Sequence, residues 1–176
     1  MRSWNLTRDA RNLSRSVLLS ILFSCALFAA DNSLHVTLDA SKSNPRVVEP
    51  LTQRAIIRDY KFAWGNIDSA LASNSHAPIN GLFAGSANDW LGGVVDGQRQ
   101  SGVTSRYLNQ SHKLDAVFYS PAGDVIELHD TAEYDFEIRD GGKVIHSEHA
   151  IVHYVVLMTP AADRWVIRQL QAVAQF

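Results

Sequence analysis

The spacing of apolar residues changes once along the chain, near residue 103. Before that point, apolar side chains recur at three- and four-residue steps, while charged residues fall largely elsewhere on the helical wheel. The recurring residues are Ile56, Tyr60, Ala63, Trp64, Ile67 and Leu71. The pattern predicts one long amphipathic helix over residues 51–73. Glu49 and Pro50 would open it, because an acidic residue and a proline are both favourable near a helix start.

A shorter second helix is predicted after a break at residues 74–78. Ser86 and Asp89 have the spacing of a helix-capping pair, and they precede the apolar residues Trp90, Leu91, Val94 and Val95. Gly92 and Gly93 weaken this segment as a helix but do not prevent one.

From residue 103 onward, apolar residues recur at every second position, which is typical of strands with one buried face. Asp140-Gly141-Gly142 is the strongest hairpin signal in the chain and separates two long strands. A turn at residues 159–163 leads to a final strand at residues 165–173. Helices followed by strands indicate an α+β domain. We therefore expect the long helix and the short helix to pack on a curved four-stranded antiparallel sheet.

Composition limits the classes of function. The chain has 176 residues, of which 46% are hydrophobic and 19% charged, so it can form one domain with a substantial core. Without residues 1–30, the formal net charge is about −5, and we expect no nucleic-acid partner. The only cysteine is Cys25, and the sequence has no glycine-rich phosphate loop. We expect no cofactor.

Residues 1–30 read as a signal peptide or a membrane-tethering leader. Arginines precede about 14 apolar or small residues, fewer than the roughly 17–25 that span a bilayer. Cleavage after Ala30, lipid attachment at Cys25 and an uncleaved anchor all fit this segment. Each places the protein in the periplasm or elsewhere outside the cytoplasm, and any membrane contact would be through the leader. Residues 31–48 are polar and aperiodic, which predicts a flexible linker before a domain at residues 49–176.

Histidines on the long hairpin raise the question of a metal site. With a three-residue turn at 140–142, Glu133 would lie opposite His149 and His129 opposite His153, a plausible set of Zn²⁺ ligands. A two-residue turn would separate them, because a shift by one residue changes every pair. That face also carries many charged residues. We therefore expect polar pairing on a solvated surface and no bound metal.

The opposite face of the hairpin points toward the predicted helices. Its polar residues are Asp130, Tyr134, His146, Glu148 and Tyr154. Carboxyl groups surrounded by apolar side chains have raised pKa values, and a neighbouring histidine or tyrosine can then complete an acid–base pair.

The chain resembles the nuclear transport factor 2-like superfamily over roughly residues 49–176. The resemblance rests on element order, on Trp64 in the long helix, and on the closing sequence Asp-Arg-Trp-Val-Ile-Arg at residues 163–168. Residues 55–70, Asp89-Trp90 and residues 105–107 are similar to IMS-type domains, which occur in plastid-division and bacterial proteins. The resemblance implies a cystatin-like, cone-shaped fold in which a curved sheet wraps the long helix.

Two functions follow from this resemblance. The first is a non-catalytic accessory or binding module that holds a protein partner or a small apolar ligand in the cone or on the sheet face. Its pocket would include Tyr60, Trp64, Tyr134 and Glu148. The second is a dehydratase- or isomerase-type enzyme, with Asp130 as the base and His146 or Tyr154 as the orienting or acid group. The oligomeric state is not predicted.

Overall fold

The computed structural model describes residues 34–176, which form an α+β domain. Its two α-helices are α1 (Pro50–Ser73) and α2 (Gly85–Ser101), with a short 3-10 helix at Ala77–Ile79 between them. The strands are β1 (His35–Asp39), β2 (Asn44–Pro45), β3 (Val103–Tyr119), β4 (Ile126–Asp140), β5 (Lys143–Pro160) and β6 (Trp165–Val173). Within the described residues, none of the helices combines the length and apolarity needed to span a bilayer. The predicted leader lies outside the described residues.

The sheet is mixed and six-stranded, in contrast to the predicted four antiparallel strands. Strands β3 to β6 pair antiparallel in chain order, and both β1 and β2 pair parallel with β3. Both extra strands lie in the segment predicted as a flexible linker, so that prediction is wrong for residues 35–39 and 44–45. These short strands form through pairing with a strand about 75 residues later, and a local composition pattern does not reveal such pairing.

Helix α1 agrees closely with its prediction. It begins at Pro50 after an extended Glu49, and it ends at Asn74, whose φ of 50° is the left-handed conformation common after a helix. Helix α2 begins at Gly85, before the predicted capping pair, and no side chain caps its first turn. The predicted role of Ser86 is therefore wrong. Its hydroxyl instead donates to the carbonyl oxygen of Arg168 on β6.

The hairpin between β4 and β5 has a two-residue loop. Asp140 pairs with Lys143, and Gly141 and Gly142 both have positive φ angles, which such tight turns require. A bulge leaves Ile145 without an opposed residue, so the register farther along pairs Glu133 with Ile151 and Thr131 with His153. The three-residue turn on which the metal hypothesis depended is absent.

The core lies between α1 and the inward face of the sheet. Its largest fully buried side chains include those of Tyr60 and Trp64 from the helix and Leu128, Met158 and Ile167 from the strands. Burial decreases along the β4–β5 hairpin, and residues 141–149 are all exposed. The helices therefore leave the part of β5 next to the turn uncovered.

Two carboxylates on α1 bind backbone amides of the sheet. The backbone N–H of Trp165, at the start of β6, donates to Asp59 at 2.8 Å. The backbone N–H of Tyr107, on β3, donates to Asp68 at 2.8 Å. Burial raises the pKa of Asp68, and the Tyr107 amide opposes that shift. The two contacts join α1 to two different strands.

A test of this packing compares two aromatic residues of α1. Trp64 is 1% exposed and Phe62 is 53% exposed. We expect Trp64→Ala to lower the free energy of unfolding by about 3–5 kcal/mol, because it leaves a large cavity. Phe62→Ala should cost less than about 1 kcal/mol. Urea denaturation followed by circular dichroism measures both, and equal losses would contradict the described core.

Candidate functional site

A carboxyl group with no exposure to solvent lies at the centre of the domain. The hydroxyl of Tyr60 donates to Asp130 Oδ2 at 2.7 Å, and Nδ1 of His112 lies 2.7 Å from the same oxygen. The rings of Tyr60 and His112 also meet edge to face, with centroids 5.6 Å apart. We call Tyr60, His112 and Asp130 the buried carboxyl cluster.

Three different elements supply this cluster. Tyr60 comes from the apolar face of α1, His112 from β3 and Asp130 from β4. In the β3–β4 register, Asp130 lies opposite Leu114 and His112 opposite Ala132, so the two polar side chains are diagonal neighbours on the inward face. The cluster therefore depends on long-range register as well as on strand periodicity.

The surroundings of the cluster are closed. The Trp64 ring lies over His112 with centroids 4.4 Å apart, and Trp64 itself is 1% exposed. Among residues 34–176, no hydrogen-bond partner is present for His112 Nε2, Asp130 Oδ1 or Trp64 Nε1. Within residues 34–176, the cluster thus has unused hydrogen-bonding atoms but no surface exposed to solvent.

A group of tyrosines from β3, β4 and β5 lies beside the cluster, and each of their rings is near Trp64. The hydroxyl oxygens of Tyr134 and Tyr154 are 3.1 Å apart, and Tyr107 packs edge to face on Tyr134. Burial raises the pKa of all three phenols above the usual value for tyrosine. These side chains stay protonated at neutral pH and can donate hydrogen bonds.

The residues predicted for the inward face divide into two groups. Asp130, Tyr134 and Tyr154 are buried there. In contrast, the His146 and Glu148 side chains are 50% and 56% exposed, and they contact each other at 3.4 Å. The predicted pairing of Asp130 with His146 is therefore absent, because the helices do not cover this part of β5.

The predicted pocket residues likewise do not line a common cavity. Tyr60 and Trp64 are fully packed in the core, Tyr134 is 6% exposed, and Glu148 lies on the open part of the hairpin. The side chains of Tyr60 and Trp64 fill the interior space in which a ligand was predicted to bind.

His112 is the partner of Asp130 that sequence reasoning missed. The sequence did contain a signal for His112. It lies two and four residues before the buried residues Leu114 and Ala116, and alternate residues of a strand share one face. This spacing alone does not identify a partner on another strand. The β3–β4 register is needed for that.

The histidines of the outward face form separate contacts. His149 lies 2.9 Å from Asp135 and 3.5 Å from Glu133, whereas His153 contacts Thr131 at 3.3 Å. Within residues 34–176, His, Asp, Glu and Cys side chains form no group of three or more that could hold a metal ion. The proposed zinc ligands are therefore not assembled in this part of the chain.

A cleft of about 490 Å³ lies between α2 and the end of β6. Its lining residues are Ser86, Trp90, Tyr154, Gln169, Leu170, Gln171 and Ala172. None of them carries a charge, and Trp90 is 45% exposed beside the cleft. Tyr154 joins the cleft to the buried tyrosine group. The site thus combines an accessible apolar surface with amide and hydroxyl groups.

Comparisons with known proteins identify a fold but no family. Neither a protein-family model nor a curated protein sequence matches the chain. Among solved structures, the chain is similar to the crystal structure of the intermembrane space region of the chloroplast protein ARC6. The TM-score is 0.59 at 14% sequence identity, and the match covers 69% of this chain and 96% of that one. At this identity, the similarity shows the α+β fold alone.

The buried carboxyl cluster generates a prediction on pH dependence. Burial raises the pKa of Tyr60 well above its usual value, and Asp130 adds to the shift. Above about pH 10 the unfolded chain releases this proton while the folded chain keeps it, so the free energy of unfolding decreases as the pH rises.

We expect Tyr60→Phe to lower the free energy of unfolding at pH 7 by about 1–3 kcal/mol, because Asp130 loses a donor. Above pH 10 the decrease in the variant should be shallower by about 1.4 kcal/mol per pH unit. Urea titrations between pH 7 and 11 measure both effects. Identical slopes for the parent and the variant would contradict the raised pKa of Tyr60.

Proposed function

We propose that this protein is an exported, non-catalytic binding module that holds a partner in the cleft between α2 and β6. One observation carries the proposal. The buried carboxyl cluster has no exposed surface, while the cleft beside Trp90 is open to solvent. Binding requires an accessible surface, and the cleft supplies one with both apolar and hydrogen-bonding character.

The closed core argues against the enzyme alternative. A dehydratase or isomerase would need a path from solvent to Asp130, yet Asp130, His112 and Tyr60 are all 0% exposed. Opening such a path would require α1 to leave the sheet and give up the buried Trp64. A buried carboxyl group held by two hydrogen bonds is instead typical of a structural role.

The chemistry of the cleft indicates the class of partner. Trp90 and Leu170 offer apolar contact, while Ser86, Gln169 and Gln171 offer neutral hydrogen-bonding groups. Without a charged lining residue, the cleft suits an uncharged protein segment or a small apolar ligand with a few polar groups. It has no feature that would attract nucleic-acid phosphates.

The fold similarity supports a classification of the domain that is more specific than α+β. We infer that the domain is nuclear transport factor 2-like and closest to IMS-type domains, as its sequence resemblance suggests. The similarity to an intermembrane space region of ARC6 agrees with this inference and with a location outside the cytoplasm. The basic and apolar leader at residues 1–30 supports the same location.

A binding experiment tests the cleft. The full chain would be expressed in bacterial cells, crosslinked, and recovered from envelope fractions, with bound proteins and extractable ligands quantified by mass spectrometry. We expect Trp90→Ala to reduce recovery of the partner by about tenfold or more, because exposed aromatic residues often dominate binding energy. Phe62→Ala is the matched control: it removes an aromatic residue of similar exposure beside a different cleft.

The two functions give different outcomes. A partner that Trp90→Ala and Phe62→Ala retain equally would contradict the assignment to this cleft. Turnover of hydroxylated or enolisable small molecules that is lost in Asp130→Asn but kept in Trp90→Ala would favour the enzyme alternative.

A further inference from the structure

Strand β5 extends well beyond its neighbour β6. Residues 153–160 of β5 pair with β6, but the segment 143–152 has β4 as its only neighbouring strand within the described chain. Among residues 34–176, no strand lies along the other side of that segment. The domain therefore has an open strand edge next to its long hairpin.

The hydrogen bonds of β6 show which backbone groups face this edge. Ile167 donates its N–H to Leu82 and accepts from Ala84, so its backbone groups point away from β5. Met158, opposite Ile167, therefore directs its groups toward β4. The direction of the backbone N–H and C=O groups alternates along a strand. The odd-numbered residues of β5 therefore direct these groups toward β6.

Beyond the end of β6, the same alternation leaves Ser147, His149 and Ile151 with N–H and C=O groups directed into open space. Within the described chain these groups make no backbone hydrogen bond outside the strands. The bulge at Ile145 limits this regular edge on one side, and the pairing of His153 with Val173 limits it on the other.

We propose that this edge pairs, antiparallel and about a two-fold axis, with the same edge of a second copy of the chain. Only a register centred on His149 satisfies every free group. Ser147 then lies opposite Ile151 of the second copy, and the two His149 residues lie opposite each other. The interface is isologous, because each copy contributes the same residues to it.

The side chains along the edge favour this self-pairing. Ile151 is 61% exposed, and in this register it would be covered by Ser147 of the other copy. Each His149 already lies beside Asp135 and Glu133 of its own β4, so a charge on it is compensated locally. Glu148 lies opposite the small Ala150, which avoids facing like charges. Residues 143–152 contain no proline, a residue that often protects natural edge strands.

Proline substitution tests the backbone contribution directly. Ser147→Pro removes an N–H that faces the open edge, and the β4–β5 hydrogen bonds stay intact. Ser147→Ala, the matched control, keeps that N–H. An interface made by one short strand edge from each copy is small, so the dimer should be weak. Sedimentation velocity on the full chain at about 5 to about 500 µM covers the concentrations at which such a dimer would form. We expect the parent and Ser147→Ala to form dimers at the upper concentrations, and Ser147→Pro to remain monomeric with an unchanged circular dichroism spectrum.

A second pair of variants covers the case in which the proline variant misfolds. Ile151→Lys should weaken the dimer at least tenfold, whereas Leu51→Lys, which changes an apolar residue of comparable exposure on α1, should not. Association through residues outside 34–176 would be common to all variants. A parent that is monomeric at every concentration, or a dimer that Ser147→Pro and Ile151→Lys leave unchanged, would overturn the proposal.

Discussion

The contact of Tyr60 and His112 with the carboxyl group of Asp130 fixes the position of α1 on the sheet. Hydrogen bonds strongly stabilise a carboxyl group that has no contact with solvent, because a buried carboxyl group without any partner costs several kcal/mol. The Tyr60 hydroxyl and His112 Nδ1 reach the same oxygen of Asp130, so the helix position and the β3–β4 register must be correct together. Asp59 and Asp68 bind the sheet on either side of this point, which prevents α1 from sliding along it.

This arrangement leaves the accessible surface of the domain at its periphery. The side chains of Tyr60 and Trp64 fill the space between helix and sheet, so the interior has no room for a ligand beside Asp130. Accessible concave surface instead lies where α2 meets β6, at the end of the tyrosine group. The same packing that stabilises the domain therefore separates the accessible cleft from the most polar interior residues.

Periodicity predicted the elements that depend on local spacing, but not the contacts that depend on register. The apolar steps of α1 and the Gly141-Gly142 turn are local signals, and both agree with the structure. Strand β1 was missed because it forms only by pairing with β3. His112 was missed for a similar reason, because its partner lies on another strand. Strand periodicity gave the correct face for His146 and Glu148, but it could not show that the helices pack on β3 at that level and leave this part of β5 uncovered.

The length of the β4–β5 hairpin connects these observations. A strand as long as β5 cannot be covered by α1 and by the shorter β6 along its whole length, so its far part has little apolar burial. The turn and the backbone pairing with β4 hold that part of β5 in place, and β3 pairs with β4 as far as Val103 and Asp140. Phe136, which packs on Tyr107, extends the core only a short way toward the turn. Among the described residues, the far part of β5 therefore has no strand along its free edge. A strand added there would pair with the backbone groups that β6 does not reach.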